Sequence, residues 1–422
     1  MIFFRDVLKC FLLDVVFYSN TPVLVDPKNT FAILPLSPPP LNLPKVDWYF
    51  KKICGIPFLL RNVLTLQRAG VNSLIIYSNN NDVELWKQTF EKYKLNIKLI
   101  FETDIMALIE ATKECSVLVL NSGALHTRQE IESGMGLADN NDNLLAQSLE
   151  RGAMKTTLNQ LIFEGNLSLA KLASVQKSNV KYLPGHKNGL VSQPKDFLVQ
   201  HENLLNNCGL NNDSFMDKTI TRFFSRQLTR FFLKTPLSPN MITILSLFIG
   251  LVSAIFFFQG TYEKNIIGAG FLLLSAWVDC TDGEVARLKF LESKIGGKLD
   301  IFCDNLVHFS VFFSIGIGLH HSTGNIIFKY FGILAVFGSL ISFLLLSASI
   351  IDEKGKAEMN ITSPKIEKTL TNNLANRDFI YFLFLMAIIG RVDIFICITA
   401  IGSNIFAAYL TYSKIKPTLS FN

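Results

Sequence analysis

Two patterns of apolar residues divide the chain. Up to about residue 200, short apolar runs alternate with helical stretches; from Pro239 onward, long apolar runs are joined by short polar connections. In the first part, β-type runs stand at Phe31–Leu34 (FAIL), Ser73–Tyr77 (SLIIY), Ile97–Phe101 (IKLIF) and Ser116–Leu120 (SVLVL). Between the first two lies Phe58–Gly70, where Leu59, Val63, Leu66 and Ala69 fall at helical spacing and Gly70 suits a C-cap. Strand–helix alternation predicts an α/β domain with a mostly parallel sheet. In the second part, six apolar segments span Pro239–Phe258, Ile266–Ala286, Ile301–Leu319, Ile326–Ile351, Phe379–Gly390 and Val392–Tyr412. They predict an all-α bundle of six transmembrane helices. The fifth is short against the roughly 20 residues a helix needs to cross a bilayer.

Between the two parts, Met216–Thr235 places Arg222, Arg226 and Arg230 at successive i, i+4 steps among phenylalanines. A basic, aromatic amphipathic helix ahead of a membrane span reads as lying in the headgroup layer. Pro236 and Pro239 end it. Asn-rich runs at Leu137–Asn143 and Leu204–Asp213 read as a surface loop and a domain boundary. The expected division is a soluble α/β domain over 1–205, a linker with the juxtamembrane helix over 206–236, a membrane domain over 237–413 and a tail over 414–422.

Composition agrees with a chain that is half membrane: 49% hydrophobic, 18% charged, mean hydropathy +0.33. The net charge of +6 is informative only in its placement, and no nucleic-acid partner is expected. Arg287, Lys289, Lys294 and Lys298 crowd one connection, and Lys354, Lys356, Lys365, Lys368 and Arg377 another; Lys414 and Lys416 lie in the tail. The alternate connections carry only Lys264 and Arg391. The positive-inside rule puts both termini on the cytoplasmic side of a cell membrane. Seven cysteines without a CxxC pair indicate a reducing compartment. The opening MIFFRDVLKCFLLDVVFY, broken by Asp6 and Asp14, does not read as a signal peptide.

The chemistry is concentrated at residues 279–304, DCTDGEVARLKFLESKIGGKLDIFCD. Asp279 and Asp282 stand three apart and Asp300 and Asp304 four apart, so each pair projects from one helix face. The connection Leu288–Ile295 lets the two helices face each other. Carboxylates in apolar sequence are expensive, and with no basic residue beside any of them the expected partner is a cation. Oxygen-only ligation suits Mg²⁺ or Mn²⁺, with enough carboxylates for two ions. Gly283 and Ala286 leave room for a flat group against the helix, and Arg287 can meet phosphate oxygens. A cation transporter using the same aspartates is the rival reading.

The spacing D-x-x-D-G-x-x-A-R-x8-G-x3-D-x3-D, met by Asp279, Asp282, Gly283, Ala286, Arg287, Gly296, Asp300 and Asp304, resembles the signature of the CDP-alcohol phosphotransferases. SPNMIT (Ser238–Thr243) resembles the turn that opens the family's first membrane helix, making Asn240 and Thr243 candidate nucleotide contacts. The resemblance covers about residues 217–413. It implies a dimeric membrane enzyme in which the aspartates hold two metal ions, Gly283, Ala286, Arg287 and Gly296 help bind the CDP group, and Asp304 is the base. The substrates would be a CDP-alcohol donor and an alcohol acceptor, amid membrane lipids. Lys298 and Arg377 are candidates for an acceptor phosphate, or equally for plain topology residues.

The first domain, in CGIPFLLRNVLTLQRAGVNSLIIYS (Cys54–Ser78), resembles GT-A-type nucleotidyltransferases. The Gly-rich phosphate loop of active members is replaced by LPLSPPPLNLPK (Leu34–Lys45), and Asn121 and Ser122 stand where a metal-binding aspartate would be. The domain order resembles bifunctional inositol-1-phosphate cytidylyltransferase/di-myo-inositol phosphate phosphate synthases. The expectation is therefore a working membrane phosphotransferase with a degenerate head, the alternative being a bifunctional enzyme that makes its own donor.

Overall fold

The computed structural model describes residues 30–40, 43–78, 83–91, 95–102, 104–112, 116–136, 147–149, 154–163, 180–186, 188–209, 216–357 and 378–419. The opening apolar stretch, the Asn-rich run at 137–143, most of the basic connection before Asp378 and Arg377 itself lie outside the described residues. The chain forms two compact units, Met1–Leu205 and Asn206–Asn422.

The first unit is α/β. Its strands are β1 (Thr30–Pro35), β2 (Lys52–Ile53), β3 (Ile56–Pro57), β4 (Ser73–Tyr77), β5 (Lys98–Glu102), β6 (Ser116–Leu120), β7 (Gln147–Leu149) and β8 (Val180–Leu183). Its helices are α1 (Lys45–Tyr49), α2 (Phe58–Arg68), α3 (Val83–Glu91), α4 (Ile105–Ala111), α5 (Arg128–Gly134), α6 (Met154–Phe163) and α7 (Asp196–Asn206), the last running one residue past the boundary. The main sheet has the order β5-β4-β1-β6-β8-β7, parallel except for β7 against β8, while β2 and β3 form a small hairpin. The four anticipated strands are present, with the run at Ile97 beginning one residue later. β7 and β8 were not anticipated. β1 is flanked by β4 on one side and β6 on the other, so the strand order reverses there, the place at which open α/β sheets bind ligands.

The second unit is helical. A π-turn at Asp217–Thr221 leads into α8 (Arg222–Phe232), followed by α9 (Pro239–Phe258), α10 (Tyr262–Lys289), α11 (Lys294–Thr323), α12 (Ile327–Ala357), α13 (Asp378–Ile389) and α14 (Val392–Leu419). Among the described residues, five helices are long and apolar enough to cross a membrane; α13, with 12 residues, is not. α9 starts as its sequence dictates, with Ser238 capping the Met241 amide and Pro239 at the first helical position. α10 ends where Phe290 takes a left-handed conformation (φ 59°) and the Leu291 amide donates back to the Ala286 carbonyl. Ser293 then caps α11 through the Gly296 amide, so a four-residue turn reverses the chain.

Lipid offers no hydrophobic drive between spans, so the helices must approach closely to gain dispersion energy. Small residues make that possible. A side-chain carbon on Gly318 of α11 would meet the Phe257 carbonyl oxygen of α9 at 2.1 Å, and one on Gly316 would meet Gly332 of α12 at 2.7 Å. Around these contacts Phe257, Leu272, Val311, Ile315, Leu383 and Phe395 form the core. Gly316→Ala forces backbone against backbone and is expected to destabilise the bundle by roughly 1–3 kcal/mol, read as a lowered melting temperature in detergent; Gly270→Ala, with nothing within 4 Å, leaves it unchanged.

Candidate active site

The two long helices α10 and α11 bring the aspartates together. Ligand oxygens of Asp279, Asp282 and Asp300 all lie within 4.8 Å of one another. Asp279 and Asp282 are buried and Asp300 half-buried. Asp304, one turn further along α11, is half-buried and is not a member of that group of three. Carboxylates at this separation repel unless a proton or a cation lies between them. An all-oxygen donor set on two rigid helices fits a hard divalent cation such as Mg²⁺ or Mn²⁺.

α9 orients two of the carboxylates. Thr243 Oγ1 donates a short hydrogen bond to Asp282 Oδ2. Ser246 Oγ donates to the Thr243 carbonyl (2.7 Å) and lies 3.2 Å from Asp279 Oδ1. Thr243, a sequence candidate for the nucleotide, thus touches a ligand carboxylate. Ser246 was missed, although it stands three residues beyond Thr243 on the same helix face. Asn240 stands beside Gly296, where an added side-chain carbon would meet its Oδ1 at 3.0 Å. Over Gly283, the room left by the absent side chain receives the Arg287 guanidinium, whose Nη1 would lie 3.2 Å from an added carbon. Arg287 Nε donates to the Cys208 carbonyl at 2.8 Å. Ala286 is half-buried one turn before Phe290. Lys298 is exposed on α11.

A further buried group was not anticipated. Glu284, between the signature residues, is fully buried and accepts from Arg222 Nη1 (2.5 Å), Ser225 Oγ (2.7 Å) and Thr229 Oγ1 (2.6 Å) of α8. Arg222 therefore points into the protein rather than into a headgroup layer, because a buried carboxylate needs a compensating charge. The outward face of α8 carries the exposed Phe223 and Phe231. The signal in the sequence was a polar stripe at 222, 225 and 229, with helical spacing.

In the first unit, buried hydroxyls meet just beyond the ends of β1 and β6. Tyr49 donates to the Ser37 carbonyl (2.9 Å) and shares a 2.9 Å bond with Ser122 Oγ, which accepts from the Ser37 amide (3.1 Å). All three residues are buried, and burial pushes the Tyr49 phenol far above its ordinary range. Alongside them, His126 bridges Glu130 Oε2 (3.2 Å) and the Asn121 carbonyl (2.9 Å).

Residues 236–402 match the CDP-alcohol phosphatidyltransferase family. The matched stretch lies within the second unit and covers less than half of the chain. Relatives agree. A protein named bifunctional IPC transferase and DIPP synthase from Aquifex aeolicus (strain VF5) is 26% identical over 206 residues, 48% of this chain and 45% of the relative. Its namesake from Thermococcus kodakarensis is 22% identical over 335 residues, 68% of this chain and 75% of the relative. The archaetidylinositol phosphate synthase of Pyrococcus horikoshii is 37% identical over 83 residues, 19% of this chain and 42% of the relative. The match to the Aquifex protein thus spans less than half of that relative's length.

Removing a hydrogen bond that orients a metal-binding carboxylate typically costs 10–100-fold in metal affinity. Thr243→Val is therefore expected to weaken Mn²⁺ binding by about that factor, measured by EPR titration of free Mn²⁺ with the purified protein.

Proposed function

We propose that the protein is an integral-membrane CDP-alcohol phosphotransferase. The reading rests above all on the convergence of Asp279, Asp282 and Asp300 inside a domain of this family, with Thr243 and Ser246 orienting two of the three. Asp279, Asp282 and Asp300 would hold a first divalent ion and Asp304 would join around a second. When bound, the metal stabilises the negative charge that develops on the departing CMP.

In the reaction, the acceptor hydroxyl oxygen forms a bond to the β-phosphorus of the CDP-alcohol and the pyrophosphate P–O bond breaks. CMP leaves with the bonding electron pair, and the hydroxyl proton passes to the Asp304 carboxylate. Asp304 suits this part because it stands one helical turn from Asp300 and outside the group of three. Arg287, lying over Gly283, meets donor phosphate oxygens, and Asn240 and Gly296 border the nucleotide. Lys298 and Arg377 remain candidates for an acceptor phosphate. The names of the relatives make inositol phosphates the first donor and acceptor alcohols to test.

Six spans, with α13 as the fifth, both termini and the site on the cytoplasmic side, and a homodimer complete the reading. The domain limits are 1–205, 206–236, 237–413 and 414–422. The head is read as a GT-A-like domain without transferase activity, because hydroxyls of Ser37, Tyr49 and Ser122 occupy the crevice where an open α/β sheet binds its ligand. The bifunctional alternative draws on the order of the two domains and on the relatives' names.

With purified protein, Mg²⁺ and a CDP-alcohol panel, CMP release should depend on metal and on an acceptor alcohol; a protein that releases none from any pair loses this assignment. Asp304→Asn should lower turnover by about 10³-fold while donor binding persists. With CTP and polyol phosphates, full-length protein should release no pyrophosphate; release abolished by Tyr49→Phe or Ser122→Ala would establish the bifunctional enzyme instead.

A further inference from the structure

Glu284 is the one buried carboxylate between Asp282 and Arg287 that faces away from the aspartates, toward α8. Both of its oxygens are used: Oε1 by Arg222 and Ser225, Oε2 by Thr229. Such a pair adds little net stability over well-packed apolar residues, whereas breaking one side of it is severe. Its persistence at full burial therefore calls for a reason other than stability, and the neighbouring contacts supply one.

One turn after Arg222, Arg226 Nη2 donates to the Asn206 carbonyl at 3.1 Å. Two residues on, the Cys208 carbonyl accepts from Arg287 Nε at 2.8 Å. The segment 206–208 is thus fastened at one end to α8 and at the other to the signature arginine of α10. α8 is itself held by two further contacts: Phe224 stacks on Trp277 of α10 (centroids 4.0 Å apart), and Thr221 Oγ1 bonds the Tyr381 hydroxyl at 2.8 Å. Glu284 closes this collar. It ties α8 to α10 midway between the aspartate that ligates and the arginine that lies over Gly283.

We propose that Glu284 is a positioning residue: through Arg222, Ser225 and Thr229 it seats α8, and through α8 and the segment 206–208 it sets where the Arg287 guanidinium meets the phosphates of the CDP donor. The role deepens the phosphotransferase reading and rests on it for the identity of the donor. The collar itself is testable without that reading, because Cys208 lies inside it. The thiol is buried and pushed up to about 12, first by burial and then by the Glu284 charge, so it reacts slowly with electrophiles while the collar is closed.

The experiment compares wild type, Glu284→Gln and the paired apolar variant Arg222→Met/Glu284→Leu, each as full-length protein. The paired variant removes both buried charges and so restores folding if the single change harms it. Three quantities are read: melting temperature, donor KM and kcat for CMP release, and the rate of N-ethylmaleimide addition at Cys208 by peptide mapping. We expect Glu284→Gln to raise donor KM about tenfold with acceptor KM unchanged, and to speed Cys208 labelling at least tenfold. In the paired variant the melting temperature returns to that of wild type, while the donor KM stays raised. Recovery of donor KM together with stability, or Cys208 labelling unchanged in both variants, overturns the proposal and leaves Glu284 as a stabilising group only. If wild type releases no CMP while Cys208 labelling rises as expected, the reaction assignment fails and the collar stands.

Discussion

Three carboxylates within 4.8 Å of each other, set in apolar surroundings, are the constraint to which the second unit answers. Left to themselves they would separate or take up protons, since ionised like charges so close in a poor dielectric destabilise each other by kilocalories. The bundle prevents separation by making α10 and α11 long, joining them through a four-residue turn with a left-handed residue, and placing α9 against both. Thr243 and Ser246 then fix the oxygens toward a common point. The result is a concentration of negative charge that a divalent cation would balance. Rigid helices, rather than loops, suit such a task, because metal geometry tolerates little displacement.

Much of this was legible along the chain. Carboxylates three and four residues apart in apolar sequence report a helix face, and hydropathy located the five long apolar helices; α9 begins and ends as its apolar run does. Helix ends were clear where residues with a capping mechanism stood, as at Ser238. What stayed hidden is polar pairing over long separations. Arg222 and Glu284 are 62 residues apart, and the periodicity of each helix alone gives Arg222, Arg226 and Arg230 the same standing. Only the packed structure shows that Arg222 meets the Glu284 carboxylate. β7 and β8 escaped for a different reason: β7 is three residues long at a sheet edge, and VKYL is four residues long with Lys181 inside it, too short a run to show strand alternation.

The head teaches a related lesson. That Leu34–Lys45 holds no glycine and Asn121–Ser122 no carboxylate could be read from the sequence, but not what the polar groups there bind. Ser37, Tyr49 and Ser122 satisfy one another across 85 residues of chain, so polar groups near the point of strand reversal are paired and buried. A domain can thus keep the sheet order that makes a binding crevice while its polar atoms are committed to each other.

The inward polar face of α8 bears on how the protein is made. Arg222, Ser225 and Thr229 leave the ribosome some 55–62 residues before Glu284, the group that satisfies them. Chains fold from the N-terminus as they emerge, yet this helix cannot settle in its final place until α9 and α10 have followed it into the bilayer. Its phenylalanines can rest on lipid in the meantime. Assembly therefore finishes backwards, with an early segment waiting on a later one, and the contacts of α8 with Glu284 form only after the helix that bears Glu284 is in place.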